Sequence, residues 1–263
     1  MGRVITILKL GGSVITDKNK PFTVRRDAIR RLVVEIKDAM AKNPGLRLIV
    51  GNGGGSFPHM PAEEGKLKDG IVADWQYEFL AKTQLAAKKL NMVLQEEFLA
   101  QGIPSFSLQP SSLGITIEDR VAKIATAQIE ELLKSRVIPL VYGDVFIDTK
   151  KGCSIVSTET LILELAKEMK IDRVIVGTNV DGVLGRKEKA VKEVTPSNIS
   201  KLDKFMGGSG STDVTGGMKH KVETMMVVAR FVPEVRIVNA LKPGYINRTL
   251  LGEPLGTRIV YND

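Results

Sequence analysis

Short apolar runs, most of them unbroken stretches of Val, Ile and Leu, recur along the chain and constrain its fold more than any other feature. They are Ile5 to Leu10, Leu46 to Val50, Ile103 to Leu108, Ile138 to Tyr142, Arg173 to Gly177, Val235 to Val238 and Thr257 to Tyr261. A strand with one wet face alternates apolar and polar residues. A run without alternation is buried on both faces, as in a parallel sheet covered by helices. Between the runs, apolar residues follow a 3.6-residue period: Ile29, Leu32, Val33, Ile36 and Met40 share one helical face, and Met218, Val222, Met225, Met226 and Ala229 share another. The segment from Ala73 to Ala100 is helical in pattern, with room for one break. This alternation predicts an α/β fold, an open and mainly parallel sheet sandwiched between helices.

With 263 residues, 43 % of them hydrophobic, the chain can bury one large core or two closely packed lobes. Cys153 is the only cysteine, so no intrachain disulfide can form, which fits a reducing, cytoplasmic setting. The first apolar run is short and is followed by glycines and charges, so it reads as a buried strand and not as a signal peptide. No stretch approaches the ~18 apolar residues that span a bilayer, so no membrane partner is expected. The net charge of +8 fits a lysine-rich solvated surface, or attraction of anionic ligands. Basic residues come in pairs such as Arg25-Arg26 and Lys88-Lys89, with no aromatic residues among them, so no nucleic-acid partner is expected.

In an open α/β sheet, ligands sit beyond the carboxyl ends of the strands, where glycine turns let backbone N–H groups approach an anion. Lys9-Leu10-Gly11-Gly12-Ser13 follows the first run, and Gly51-Asn52-Gly53-Gly54-Gly55-Ser56 follows the second. Asp213-Val214-Thr215-Gly216-Gly217-Met218 precedes a helix. One such turn is weak support; three point to a polyphosphate. The stretch from Gly207 to Gly217 has linker composition, but the helix directly after it favours a functional loop. There is no GxxxxGK[ST] pattern, so this is not a P-loop. Lys9 ends an otherwise apolar strand and must face a ligand or an ion partner, because a lone buried charge is costly. Lys18 and Lys221 lie in polar surroundings, where an ordinary surface lysine is equally consistent. His59 alone is open between a ligand contact and a packed histidine.

The KLGGSVITDK opening, the GGGSF loop with His59, the Gly143-Asp144 pair, the TNVDGV turn and the TDVTGGMKHK segment together resemble the amino acid kinase superfamily. Thr83-Gln84 through Leu90-Asn91, Gly102-Ile103-Pro104, Gln109-Pro110-Ser111 and the closing LLGEPLGTRI run are similar to its archaeal isopentenyl phosphate kinase branch. The resemblance spans essentially the whole chain. It implies one kinase-like domain over 1–263, with an acceptor-binding lobe at 1–170 and an ATP-binding lobe at 171–263. It implies a homodimer, a small-molecule substrate, and ATP carrying Mg²⁺, with no metal site of the protein's own. The implied reaction is direct transfer of the γ-phosphoryl group to isopentenyl phosphate; the alternative is a paralogue acting on another small phosphate, phosphonate or carboxylate.

The same resemblance implies residue roles. Lys9, Gly11, Gly12 and Ser13 would hold the ATP β- and γ-phosphates, and Lys18 would stabilise the transferring group. Gly54 and His59 would contact the acceptor phosphate, and Gly55 the nucleotide. Asn179, Asp181 and Gly182 would border the nucleotide, and Gly217 and Lys221 would close over its phosphates. Catalysis would then rest on Lys9, Lys18, His59 and Lys221. A phosphate monoester with a second pKa near ~6 needs no general base, only cations that offset phosphate–phosphate repulsion. An apolar tail could be lined by Trp75, Phe79, Leu80, Thr83 and Ala86, unless these pack in the core or at an interface. The chain differs from the family pattern at three places. Pro58 replaces the glycine of GSFGH, and displaces His59 if that glycine needs positive φ. Ser157-Thr158-Glu159 replaces SGD, with Thr158 still able to offer its N–H to a substrate phosphate. Asn179 replaces the usual aspartate.

Overall fold

The structure is a computed structural model and describes residues 3–17, 19–206 and 217–262. Its strands, in chain order, are β1 (Val4–Leu10), β2 (Leu46–Asn52), β3 (Ser105–Ser107), β4 (Gly114–Ile117), β5 (Arg120–Ile124), β6 (Ile138–Tyr142), β7 (Asp144–Asp148), β8 (Gly152–Val156), β9 (Arg173–Thr178), β10 (Glu193–Val194), β11 (Glu234–Asn239) and β12 (Thr257–Ile259). Its helices are α1 (Gly12–Ile15), α2 (Arg26–Lys42), α3 (His59–Glu64), α4 (Gln76–Ala100), α5 (Ala127–Lys134), α6 (Thr158–Glu168), α7 (Ile199–Met206), α8 (Gly217–Val228) and α9 (Tyr245–Leu250).

The eight-stranded sheet has the order β10-β12-β11-β9-β1-β2-β6-β3. From β11 to β3 every pairing is parallel, and only β12 meets β11 antiparallel. Each central strand feeds two cores by simple alternation. In β1, Ile7 joins one core while Leu8 and Leu10 join the other; in β2, Ile49 separates from Leu48 and Val50 in the same way. Helices α5, α6 and α8 cover the first core with Ile129, Leu161, Leu165, Val222 and Met225. Helices α2, α4 and α9 cover the second with Leu32, Ile36, Leu90, Leu94 and Ile246. Burial on both faces therefore accounts for the unbroken apolar runs.

Two details differ from expectation. The Ala73 to Ala100 segment forms α4 without a break, starting at Gln76. The run from Ile103 to Leu108 contributes only Ser105–Ser107 as strand, because Ile103 N–H bonds Phe98 O at the end of α4 and Pro104 has no N–H to give.

A second sheet, ordered β5-β4-β7-β8, was not foreseen. Its tight β4–β5 connection puts Glu118 and Asp119 at positive φ. The Asp148 carboxylate accepts from the backbone N–H groups of Glu118, Asp119, Lys150 and Lys151, at 2.9–3.2 Å. Burial raises the pKa of Asp148, but these amides outweigh it and hold the group well below the usual carboxylate range. The hairpin β7–β8 thus has a rigid turn, and it delivers the chain to the start of α6 at the carboxyl edge of the large sheet.

Candidate active site

The carboxyl ends of β1, β2 and β9 surround a cavity of about 780 Å³. Two glycine turns are pressed together along its floor. Gly53 N–H donates to Leu10 O, and Gly11 N–H donates to Gly177 O, both at 2.9 Å. Thr16 fastens the turns to each other: its Oγ1 donates to Gly12 O at 2.8 Å and accepts from Ser56 N–H at 3.1 Å. No side chain fits between them. A Cβ at Gly12 would lie 2.3 Å from Gly55 N, and one at Gly55, where φ is +56°, would lie 2.1 Å from Thr16 Oγ1. The backbone is therefore bare where an anion would approach, and these residues fit a polyphosphate.

Lys9 lies 4 % exposed on β1, on the face covered by α6 and α8. It forms a short ion pair with Glu159, in the first turn of α6. Lys221 of α8 brings a second ammonium to 4.0 Å from the same Glu159 oxygen. Burial would raise the Glu159 pKa; the fields of Lys9 and then Lys221 outweigh it and hold the group at about 2. Glu159 thus stays a carboxylate and holds two lysines at one point. The N-terminal turns of α6 and α8 border the same cavity and add positive dipole. Two of the three lysines singled out in the sequence are thereby brought together. Lys18 lies outside the described residues, as do residues 207–216 of the third glycine turn.

Pro58 and His59 both border the cavity. Pro58 takes φ −83° and ψ −15°, close to what its ring allows, caps α3 and packs against Gly54. His59 borders the cavity beside Gly54. Thr158 also borders the cavity, but its hydroxyl donates to Asn52 O at 2.8 Å. What it can offer an anion is its N–H, one of the amides that the first turn of a helix leaves unpaired. Ser157 caps this turn by accepting from Thr160 N–H at 3.0 Å.

Ser13, Asn179 and Gly217 border the cavity as expected. Asp181 and Gly182 do not. The Asp181 carboxylate is held by Lys242 at 2.7 Å and Asn239 at 2.8 Å, and these contacts lower its pKa. Gly182 packs against Thr257, so tightly that a Cβ would sit 2.4 Å from its hydroxyl. Both shape the turn after β9 from behind.

The lining also includes the apolar Ala62, Ala87, Ile155 and Val156, together with Thr83 and the buried Asp144. Of the five tail candidates only Thr83 is among them. Phe79 and Leu80 pack with the small core around Leu67 and Cys153, Ala86 joins the core under α2, and Trp75 is half exposed with its ring edge-on to Phe79. Sequence reasoning missed Ala87, Ile155, Thr16 and the bridging role of Glu159. The small residues facing α3 on α4, four apart at Thr83 and Ala87, were the available signal. Among the described residues, no group of three or more His, Cys, Asp or Glu side chains could hold a metal ion.

Residues 4–239 match the amino acid kinase family. Isopentenyl phosphate kinase of Methanocaldococcus jannaschii is 35 % identical, over 99 % of this chain and 100 % of that protein. Isopentenyl phosphate kinase of Methanothermobacter thermautotrophicus is 37 % identical, over 96 % and 98 %. A solved isopentenyl phosphate kinase structure superposes with a TM-score of 0.80 at 32 % identity, covering 97 % of this chain and 100 % of that one. A family match over residues 4–239 and full-length relatives above 30 % identity show that the chain belongs to the amino acid kinase family.

Proposed function

We propose that this protein transfers the γ-phosphoryl group of ATP to isopentenyl phosphate, giving isopentenyl diphosphate and ADP. The observation that carries this is the meeting of Lys9 and Lys221 on Glu159 beside side-chain-free glycine turns, in a cavity that Ala62, Ala87, Ile155 and Val156 also border. Full-length likeness to isopentenyl phosphate kinases supports the acceptor.

An oxygen of the acceptor phosphate forms a bond to the γ-phosphorus as the bond to the β,γ-bridging oxygen breaks, and the electron pair leaves on ADP. The acceptor is largely dianionic at neutral pH, so no residue need remove a proton. The protein's work is to position two phosphates and offset their repulsion. Lys9 and Lys221, released in part from Glu159, face the transferring group, and Lys18 follows it. Gly11, Gly12 and Ser13 bind the β- and γ-phosphates and Gly55 the same nucleotide. Gly54, His59 and the Thr158 N–H hold the acceptor phosphate. Asn179 and Gly217 border the nucleotide. Mg²⁺ arrives on ATP and supplies further charge neutralisation when bound. Residues 1–170 then form the acceptor lobe, which also lends its glycine turns to the ATP phosphates, and residues 171–263 the lobe that holds the rest of the nucleotide.

A homodimer is part of the proposal. Leu85, Met92 and Leu99 lie exposed seven residues apart on α4, which packs beside β3, the edge strand of the large sheet. No helix among the described residues is long and apolar enough to cross a membrane, which is consistent with a cytoplasmic enzyme. The reaction is tested by ³¹P NMR of protein, MgATP and isopentenyl phosphate. Loss of the monophosphate signal with growth of a paired diphosphate signal supports it; ATP hydrolysis with the monophosphate untouched overturns it.

A further inference from the structure

A smaller cavity, of about 280 Å³, lies at the opposite end of the large sheet. It opens between the C-terminal ends of α2 and α5. Here β2 has started but β6 has not yet paired with it, the pairing beginning at Val50. Met40, Leu46, Leu133 and Val137 make its apolar wall, and Arg47 and Arg136 line it too.

Arg47 is 8 % exposed. Among the described residues only its Nη1 is engaged, donating to Pro44 O at 2.9 Å and Leu46 O at 3.0 Å. Its Nε is buried without a partner. Burial first, and then the fields of Arg136 and Arg3, lower its pKa. The nearby Glu131 is paired with Lys134 at 2.6 Å, and among the described residues no carboxylate pairs with Arg3, Arg47 or Arg136. Capping the chain before β2 explains the two Nη1 bonds. It does not explain a buried, half-satisfied guanidinium with no carboxylate partner among the described residues, since buried charges are ordinarily paired.

The geometry points to a second binding site here, holding a small oxyanion with a short apolar body, a phosphate monoester or carboxylate, between Arg47 and Arg136. Guanidinium groups recognise both oxyanions through paired N–H bonds. The volume falls below the ~300–1,000 Å³ of sites for drug-sized ligands, so a compact ligand is implied. The site stands independently of the reaction proposed above.

The test uses the arginine Nε–H signals of the ¹⁵N-labelled protein, with the Arg47 signal assigned by its loss in Arg47→Lys. Inorganic phosphate and isovalerate are titrated separately. A saturable shift of the Arg47 signal with either probe is expected, and phosphate alone or both together tells which oxyanions are accepted. Affinity should fall at least tenfold in Arg136→Asn, where asparagine tolerates the left-handed backbone, φ 58°, of that position. Lys9→Ala should leave the titration unchanged, because Arg47 lies about 17 Å along β2 from the glycine turns, five residues at ~3.3 Å each. No saturable shift with either probe, unchanged affinity in Arg136→Asn, or loss of the titration in Lys9→Ala would overturn the site.

Discussion

Lys9 and Glu159, 150 residues apart in the chain, form a buried ion pair at the carboxyl edge of the large sheet. Lys9 would otherwise be an uncompensated charge in the core, which costs several kcal/mol. Glu159 supplies the counter-charge and lets a second ammonium, that of Lys221, approach the same point. The pair thus explains how a strand-end lysine can be buried and still be kept for a phosphate.

The pair makes stability depend on acid pH. Glu159 titrates at about 2 in the folded protein against an ordinary 4.5. A lowered pKa contributes stability that is fully present above the unfolded value and is lost as pH falls through the folded one. The contribution is of the order of 3 kcal/mol, at ~1.4 kcal/mol per unit. Urea unfolding followed between pH 5 and pH 2 should fall more steeply for the wild type than for Glu159→Gln. Parallel curves would show that Glu159 is not held by the lysines.

At neutral pH the same variant should be less stable by ~3–5 kcal/mol, because it leaves Lys9 buried and unpaired. Phosphate groups can replace the lost carboxylate, so ATP should raise the melting temperature of Glu159→Gln by more than it raises that of the wild type. An equal or smaller rise would mean that ATP does not meet these lysines.

The parallel sheet was legible because burial on both faces leaves an unbroken apolar run, as in Ile5 to Leu10. The second sheet was not. In Asp144–Asp148, buried aspartates bracket the apolar residues, and their partners, backbone amides of turns, leave no mark in composition. Within the site, glycine turns and Lys9 carried a local signal. Glu159 stood out only as a difference from a family pattern, since its meaning depends on lysines brought in by β1 and α8. Asp181 entered only through the family resemblance, and its ion pair with Lys242 could not be read from the sequence.

Gly12→Ala should abolish ATP binding while the protein stays folded. The added methyl would meet the Gly55 backbone at 2.3 Å and force the two turns apart. Calorimetric titration with ATP and a circular dichroism spectrum check both parts. Wild-type affinity in Gly12→Ala would show that the turns do not bind the nucleotide.

Light scattering should give twice the 28.7 kDa chain mass for the wild type and the single-chain mass for Met92→Glu combined with Leu99→Glu. Both positions are exposed in the chain, so the substitutions should cost it little stability. A wild-type monomer, or an undisturbed dimer in the double variant, would remove this face from the interface.

The most direct test compares kcat/KM for isopentenyl phosphate, UMP and glutamate at saturating MgATP, in the wild type and in His59→Ala. Isopentenyl phosphate should be preferred by at least ~100-fold, as expected when a site built for one polar group and one tail meets acceptors lacking either, and His59→Ala should lose most of that rate. Preference for UMP or glutamate, or full activity of His59→Ala with isopentenyl phosphate, would contradict an acceptor phosphate held between the glycine turns and His59.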